Sequence, residues 1–89
     1  MDFEWDVEKA TANQCKHGVS FEEATEVFGD PLSSTVPDPD HSFEEERFVA
    51  FGCTMQGRYL VVGFTESGAR IPVVTARPMT PRERNAYEQ

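Results

Sequence analysis

Three strand-like runs in the second half of the chain most strongly limit the folds that this sequence can adopt. They are RFVAFGCT at 47–54, RYLVVGFT at 58–65 and RIPVVTAR at 70–77, all rich in β-branched and aromatic residues. The two connections, MQG and ESGA, are short and contain glycine, as tight hairpins do. We therefore expect an antiparallel meander. Pro72 cannot donate to a ladder, so the third run should lie at a sheet edge or carry a bulge there.

The first residues carry the signals of a short strand and two helices. DFEWD at 2–6 alternates aromatic and acidic residues, which predicts a strand with one buried face. Asp6 is a suitable N-cap for a helix over about residues 7–17, and Gly18 suits the left-handed position that ends a helix. Ser20 then begins a second helix, with a glutamate three residues later as in a capping box.

The remaining segments complete the order β-α-α-β-β-β-α. Residues 31–45 are rich in proline, serine and aspartate, which predicts a long loop with a short extended piece near Ser34–Val36. Thr80 and Pro81, with glutamate at the third helical position, form a strong helix start. We therefore expect an α+β fold in which helices pack against an antiparallel sheet. A chain of 89 residues supports one small core, so we expect a single domain over residues 1–89.

The formal net charge is −8, yet the arginines are all in the second half of the chain. Residues 1–46 hold thirteen acidic residues and two lysines, whereas residues 47–89 hold three acidic residues and six arginines. An acidic chain is unusual for a nucleic-acid binder, because phosphate affinity comes mainly from lysine and arginine. The arginine-rich half nevertheless indicates an interaction surface that suits phosphate groups.

The sequence predicts a cytoplasmic protein without membrane association. It contains no apolar run long enough to span a bilayer, and its first residues lack the basic and apolar regions of a signal peptide. Cys15 and Cys53 match no zinc pattern. We interpret both as reduced thiols, and a disulfide between them is the alternative.

The first predicted helix carries a polar stripe. Lys9, Asn13 and Lys16 or His17 recur at spacings of three or four residues and therefore share one face. We interpret Lys9 and Asn13 as candidates for substrate binding, with Lys16 and His17 at the end of the helix. A solvated face is the alternative for the stripe, and a helix cap that favours the dipole is the alternative for His17.

Arginines stand where the predicted strands begin or end. On an alternating strand, Arg58 falls on the side of Leu60 and Arg77 on the side of Val73, so both should lie at the rim of the buried face. Arg47 begins the neighbouring strand. We expect the three guanidinium groups to converge on one hollow the size of an anion. Ion pairs with the acidic first half are the alternative.

The last helix adds two further candidates for substrate binding. Arg84 and Tyr87 are three residues apart and share a face. Tyrosine can stack on a base or donate to a phosphate, and packing of the Tyr87 ring on the sheet is the alternative.

Metal and cofactor chemistry has little support in the sequence. Asp38, Asp40, His41 and Glu44 form an acidic stretch, but their spacing does not match a calcium loop, and one histidine is a poor zinc set. The sequence contains no glycine-rich phosphate loop, serine elbow or HExxH motif. We expect no metal and no cofactor, with a metal-binding module on this stretch as the alternative.

Several segments together resemble the BrnT family. They are FEWD at 3–6, Lys9, Asn13, KHGVSFEEA at 16–24, VFGDP at 27–31, EERF at 45–48, GRYLVVGFTE at 57–66, AR at 76–77 and RERNAYE at 82–88. BrnT proteins are toxins of type II toxin–antitoxin pairs, so the resemblance implies a RelE-like fold, cleavage of RNA and arrest of translation. It also implies neutralisation by BrnA, a ribbon-helix-helix antitoxin that binds operator DNA, in an assembly of two toxins and two antitoxins.

The resemblance also implies roles for the candidate residues. RNA can be cut without a metal when its own 2′-hydroxyl attacks the adjacent phosphorus, which requires a base, cations for the phosphorane and an acid. Arg58 and Arg77 would stabilise the negative charge with help from Lys16, and His17 or Glu46 would move the proton. The net charge of −8 supports a second hypothesis, a catalytically weak protein that acts as antitoxin partner and co-repressor.

Overall fold

The computed structural model describes residues 2–39 and 46–89, and within these ranges it has five strands, three α-helices and a short 3₁₀-helix. In chain order the elements are β1 (Asp2–Glu4), α1 (Val7–His17), α2 (Phe21–Thr25), the 3₁₀-helix (Glu26–Gly29), β2 (Ser34–Pro37), β3 (Arg47–Cys53), β4 (Tyr59–Thr65), β5 (Arg70–Pro78) and α3 (Pro81–Tyr87). The predicted α+β class is confirmed. The predicted order lacks one strand, because the extended piece at the start of the acidic loop is a paired strand, β2.

The strands form one mixed sheet in the order β1-β5-β4-β3-β2. The three neighbouring pairs β2–β3, β3–β4 and β4–β5 are antiparallel, whereas β1 is parallel to β5. The expectation of a wholly antiparallel sheet is therefore wrong. The alternating residues of β1 predict a strand, but they do not indicate which strand it pairs with or in which direction. Of the two expectations for Pro72, the sheet edge is wrong, because β5 is an inner strand and Pro72 lies opposite Glu4 of β1. The alternative, a bulge in this strand, is observed close by, two residues after Pro72.

Local polar contacts begin and end the helices at the predicted residues. The Asp6 carboxylate accepts the N–H of Glu8 at 2.8 Å, and Gly18 ends α1 in the left-handed region at φ 69°. The Ser20 hydroxyl accepts the N–H of Glu23 at 3.1 Å at the start of α2. A capping box begins α3. None of the helices in the described ranges is long and apolar enough to cross a membrane.

The core lies on one face of the sheet, beneath α1, α2 and the 3₁₀-helix. We call this side the core face, and its buried strand residues are Ala50, Leu60, Val62, Phe64, Val73 and Ala76. The helices and the loop between them contribute Val19, Phe21, Ala24 and Val27, all at most 1% exposed. The opposite side, which we call the α3 face, packs against α3 and carries Phe51, Tyr59 and Val61.

A β-bulge in β5 decides on which face of the sheet Arg77 lies. Gly63 and Phe64 are consecutive in β4, but they pair with Thr75 and Val73 of β5, so Val74 is an extra residue in β5. Side chains alternate along a strand, and the extra residue therefore moves Thr75 and Arg77 to the α3 face while Val73 stays in the core. The expectation that Arg77 shares the core-face rim with Arg58 is wrong for this reason.

Candidate active site

Arg58 stands directly before β4, at the end of the sheet where α1 also ends. Thr54 holds its backbone, because the Thr54 N–H donates to the Arg58 carbonyl at 2.8 Å and the Thr54 hydroxyl accepts the Arg58 N–H at 3.1 Å. The Arg58 Nη1 donates to the carbonyl of Gly18 at 3.2 Å and to Glu23 Oε1 at 2.7 Å. The guanidinium thus joins the end of α1 to α2, and 40% of the side chain remains exposed.

Lys16 and His17 form the last turn of α1, directly before the carbonyl that Arg58 contacts. Lys16 is exposed and His17 is half-buried. The carbonyl end of a helix favours positive charge, so the position suits both side chains. We call Lys16, His17, Gly18, Glu23 and Arg58 the arginine corner. Three of the predicted catalytic residues lie in it.

Asn13 is buried rather than presented to a ligand. Its side chain is directed at the sheet, where Nδ2 donates to the carbonyls of Val19 at 3.1 Å and Ala76 at 2.8 Å. Its Oδ1 accepts the N–H of Ala76 at 3.1 Å. The residue is 8% exposed, so the structure contradicts its assignment to substrate binding. Lys9, one turn earlier, is exposed.

Arg77 lies on the α3 face and forms a two-pronged ion pair with α3. Its Nη1 and Nη2 donate to Glu83 Oε1 at 2.8 Å and Oε2 at 2.9 Å, and Nη1 also donates to the carbonyl of Pro78. The hydrogen bonds from Arg77 lower the pKa of Glu83 to about 2, because they favour the charged carboxylate. Arg58 and Arg77 therefore lie at the same end of the sheet but on opposite faces, and they do not converge on one hollow.

The side chains of Arg84 and Tyr87 also contact other residues of the chain. The Arg84 guanidinium carbon lies 4.0 Å from the centre of the Tyr59 ring, and the Tyr87 ring packs edge-on against the same ring. The Tyr87 hydroxyl donates to Asp30, a hydrogen bond that lowers the pKa of Asp30. Burial and the nearby carboxylate raise the pKa of Tyr87. The alternative in which the Tyr87 ring packs on the sheet is therefore the one observed.

Glu46 and Arg47 lie at the other end of the sheet. Arg47 pairs with Thr65 at the end of β4, whereas Arg58 precedes the start of that strand. A strand rises about 3.3 Å per residue, which separates the two ends by roughly 20 Å. Glu46 is exposed and does not reach the arginine corner. The structure thus separates these two candidates from Lys16, His17 and Arg58.

The proposed metal stretch falls partly outside the described residues, which exclude Asp40, His41 and Glu44. Among residues 2–39 and 46–89, no three histidine, cysteine, aspartate or glutamate side chains come close enough to hold a metal ion. Cys15 and Cys53 are both free thiols, as expected from the sequence.

Two carboxylates with central positions in the structure are absent from the sequence-based candidates. Glu23 contacts Arg58, and Asp30 accepts hydrogen bonds from Tyr87 and from the N–H groups of Leu32 and Cys53. In the sequence, Glu23 is accounted for by the capping signal that begins at Ser20. This local role gives no indication of its contact with Arg58, 35 positions away. Both residues belong to segments that support the family resemblance, and this is the only signal in the sequence that singles them out.

Comparison with known proteins agrees with this fold. The family model described as "Ribonuclease toxin, BrnT, of type II toxin-antitoxin system" matches residues 5–83. The crystal structure of the Brucella abortus ribonuclease toxin BrnT, determined at 1.1 Å resolution, is similar with a TM-score of 0.71. The two chains are 22% identical, and the match covers 90% of this chain and 97% of that chain. At this identity the likeness shows the fold alone. No curated protein sequence matches.

Proposed function

Because the chain belongs to the BrnT family of ribonuclease toxins of type II toxin–antitoxin systems, we propose that it cuts RNA without a metal and so arrests translation. Membership of this family implies an RNA substrate and an antitoxin partner. The antitoxin is of the BrnA type with a ribbon-helix-helix fold, and operator DNA is contacted only through it. The complex acts in the cytoplasm. Similarity of the fold to the RelE ribonucleases stays a prediction.

The arginine corner is the site at which we place the reaction. The observation that carries this choice is the position of Arg58, whose exposed guanidinium lies beside the helix end that bears Lys16 and His17. When the 2′-hydroxyl of RNA attacks the adjacent phosphorus, negative charge develops on the phosphorane oxygens. Arg58 and Lys16 stabilise that charge, since donors and cations fixed beforehand require little rearrangement.

His17 moves the proton in this scheme. An imidazole ring can both accept and donate a proton, and His17 lies in the same turn as Lys16. As a base it takes the proton of the 2′-hydroxyl, and as an imidazolium it can return a proton to the leaving 5′-oxygen. Glu46 takes no part, because it stands at the opposite end of the sheet.

Arg77 binds a neighbouring part of the RNA on the α3 face. Its Nη groups are held by Glu83, whereas no hydrogen bond from its Nε is found in the described part of the chain. Guanidinium groups bind phosphate through paired N–H groups, so the edge formed by Nε and Nη2 suits this contact. Lys9, Arg47 and Arg84 stay predicted contacts for more distant parts of the substrate.

Cleavage of a single-stranded RNA by the purified chain in excess EDTA tests this function. We expect cleavage to persist in EDTA, and products ending in a 2′,3′-cyclic phosphate and a 5′-hydroxyl. Arg58→Ala should lower kcat by about 10²-fold, as loss of one preorganised donor does. Full growth arrest by an Arg58→Ala/Arg77→Ala double variant would contradict the mechanism.

A second candidate function is supported by the ion pairs of both arginines with carboxylates and by the net charge of −8. In this case the chain is a weak or inactive enzyme that binds the antitoxin and assists repression. Expression of the chain alone would then leave growth unchanged, while a complex with a ribbon-helix-helix protein would still form. RNA cleavage that copurifies with the chain through successive columns would exclude this candidate.

A further inference from the structure

Glu23 differs from the other carboxylates of residues 2–39 and 46–89 because one of its oxygens is bound while the other is buried without a partner. Its side chain is 12% exposed, and its Oε1 accepts the Arg58 Nη1 at 2.7 Å. Its Oε2 is buried and is the only buried side-chain oxygen or nitrogen of the described residues that has no hydrogen-bond partner. Buried polar atoms are rarely left unpaired, so such an exception indicates a constraint other than stability.

The contacts of Glu23 and Gly18 fix the orientation of the Arg58 side chain. Both hydrogen bonds use Nη1, which has two hydrogens, so this nitrogen is saturated. In the described part of the chain, neither Nε nor Nη2 of Arg58 makes a side-chain hydrogen bond. These two nitrogens form one edge of the planar guanidinium, and that edge matches two oxygens of a phosphate. Glu23 therefore determines which edge is left for a ligand.

We propose that Glu23 is a positioning residue that orients the Arg58 guanidinium toward the scissile phosphate, an inference that rests on the proposed ribonuclease function. Glu23 acts through Arg58 and does not touch RNA, because its unbound oxygen is buried and cannot reach a 2′-hydroxyl. Its own backbone is held by Ser20 at the start of α2. A charged acceptor directed at Nη1 restricts rotation of the guanidinium, which a neutral acceptor does less strongly.

Two measurements on the same set of variants test the proposal. The variants are Glu23→Gln, Glu23→Ala and the matched control Glu22→Gln, which removes the same charge from an exposed neighbour on α2. The first measurement is RNA cleavage, with kcat and KM separated. The second is the Arg58 Nε–H signal in ¹H–¹⁵N NMR spectra, assigned from its absence in Arg58→Lys and recorded with and without a non-cleavable 2′-deoxy oligonucleotide.

We expect Glu23→Gln to lower kcat about 10-fold and Glu23→Ala about 100-fold, with KM changed by less than about threefold, because orientation matters most in the transition state. Glu22→Gln should equal the unmodified chain. The Arg58 Nε–H signal should shift on oligonucleotide binding in the unmodified chain, and this shift should be reduced in Glu23→Gln. If Glu23→Ala fails to fold, the comparison rests on Glu23→Gln alone.

The two measurements separate failure of this inference from failure of the proposed function. If the unmodified chain does not cut RNA, the function is wrong, and the NMR signal alone then decides whether Glu23 orients Arg58. If the unmodified chain cuts RNA and Glu23→Gln has the kcat of Glu22→Gln, Glu23 is not a positioning residue. An Arg58 signal that is identical in Glu23→Gln and the unmodified chain also overturns the proposal.

Discussion

Asn13 holds α1 to the sheet through both polar atoms of its amide. Its Nδ2 donates to the carbonyls of Val19 and Ala76, and its Oδ1 accepts the Ala76 N–H. A side-chain amide has two N–H donors and an oxygen acceptor, so Asn13 can pair with backbone groups of Val19 and of Ala76 at the same time. Ala76 is fully buried, and water has no access to replace the lost partner. Asn13 is therefore a structural residue of the core.

We expect Asn13→Ala to lower the free energy of unfolding by about 2–4 kcal/mol, because it leaves buried backbone groups without partners. Urea unfolding followed by circular dichroism measures this loss. Gln14→Ala is the matched control, since Gln14 is exposed on the same helix. Its effect should stay within about 0.5 kcal/mol. Equal stability of the two variants would show that the amide contacts are dispensable.

The sequence could predict α1 but not its buried side. The helix ends were predictable because Asp6 and Gly18 act locally. The buried side was not, because its apolar signal is weak: Ala10 packs against the core, but Val7 is 73% exposed and Cys15 is exposed. In the sequence, Asn13 is therefore indistinguishable from the exposed polar residues of the same helix. Only its contacts with β5, 63 positions away, show that it belongs to the core.

At the scale of elements, α3 is attached to the sheet by polar and aromatic contacts rather than by a buried apolar face. None of its residues is buried. Arg77 pairs with Glu83 near its start, Tyr87 donates to Asp30 near its end, and Arg84 lies over Tyr59 between them. Attachment of this kind depends on the charge of the carboxylates, so it should depend on pH.

We expect Glu83→Gln to lower the free energy of unfolding by about 1–3 kcal/mol at pH 7, with screening of the partly exposed pair included. The folded-state pKa of Glu83 is lowered to about 2 from an ordinary value of 4.5. Its contribution is therefore present above about pH 4.5 and is lost as the pH falls toward 2. Urea unfolding of both proteins from pH 7 to pH 2 measures the difference, which should shrink over this range.

Glu88→Gln is the control for this pH series. Glu88 also pairs with an arginine of α3, but the distance is 3.6 Å and both side chains are about half exposed. Its removal should change the free energy of unfolding by less than about 0.5 kcal/mol at any pH. A Glu83→Gln difference that stays constant from pH 7 to pH 2 would show that the ion pair does not attach α3.

Beside the bulge in β5, Gly63 of β4 and Thr75 of β5 approach each other closely. A Cβ added to Gly63 would overlap the Thr75 hydroxyl, whereas the Thr75 Cβ would remain at an ordinary 3.7 Å. Gly63→Ala alone should cost about 1–3 kcal/mol through this overlap. Thr75→Ala in the same chain should restore most of the loss, and a double-mutant cycle in urea measures the coupling. Additive losses would contradict the contact.

Strands β3, β4 and β5 could be predicted, because their apolar runs and glycine-containing turns are local signals. The face of each side chain after the bulge could not be predicted. A bulge moves every later residue of the strand to the other face, and no local signal in the sequence marks Val74 as the extra residue. This is why Arg58 was correctly placed beside the core and Arg77 was not.

At the scale of the whole molecule, charge is segregated along the chain, and the two ends of the sheet differ in chemistry. Residues 17–46 contain nine acidic residues and neither lysine nor arginine. The arginine corner stands where this acidic segment meets the start of β4. Glu46 and Arg47 stand at the other end of the sheet, in a molecule whose longest dimension is 31 Å. One RNA phosphate can therefore contact only one of these ends.

This separation gives a prediction that decides between two candidate proton carriers. Glu46→Gln should change kcat/KM for RNA by less than about twofold, because a charge roughly 20 Å from the phosphate lies beyond the Debye length of about 8 Å at physiological salt. His17→Gln should lower kcat by about 10²-fold, the usual effect of removing a general acid or base. Initial rates of cleavage of one fluorescent oligonucleotide at several substrate concentrations give both values. Loss of activity in Glu46→Gln with full activity in His17→Gln would move the reaction to the Arg47 end of the sheet. The acidic residue would then act beside Arg47, and the arginine corner would be left with a structural role.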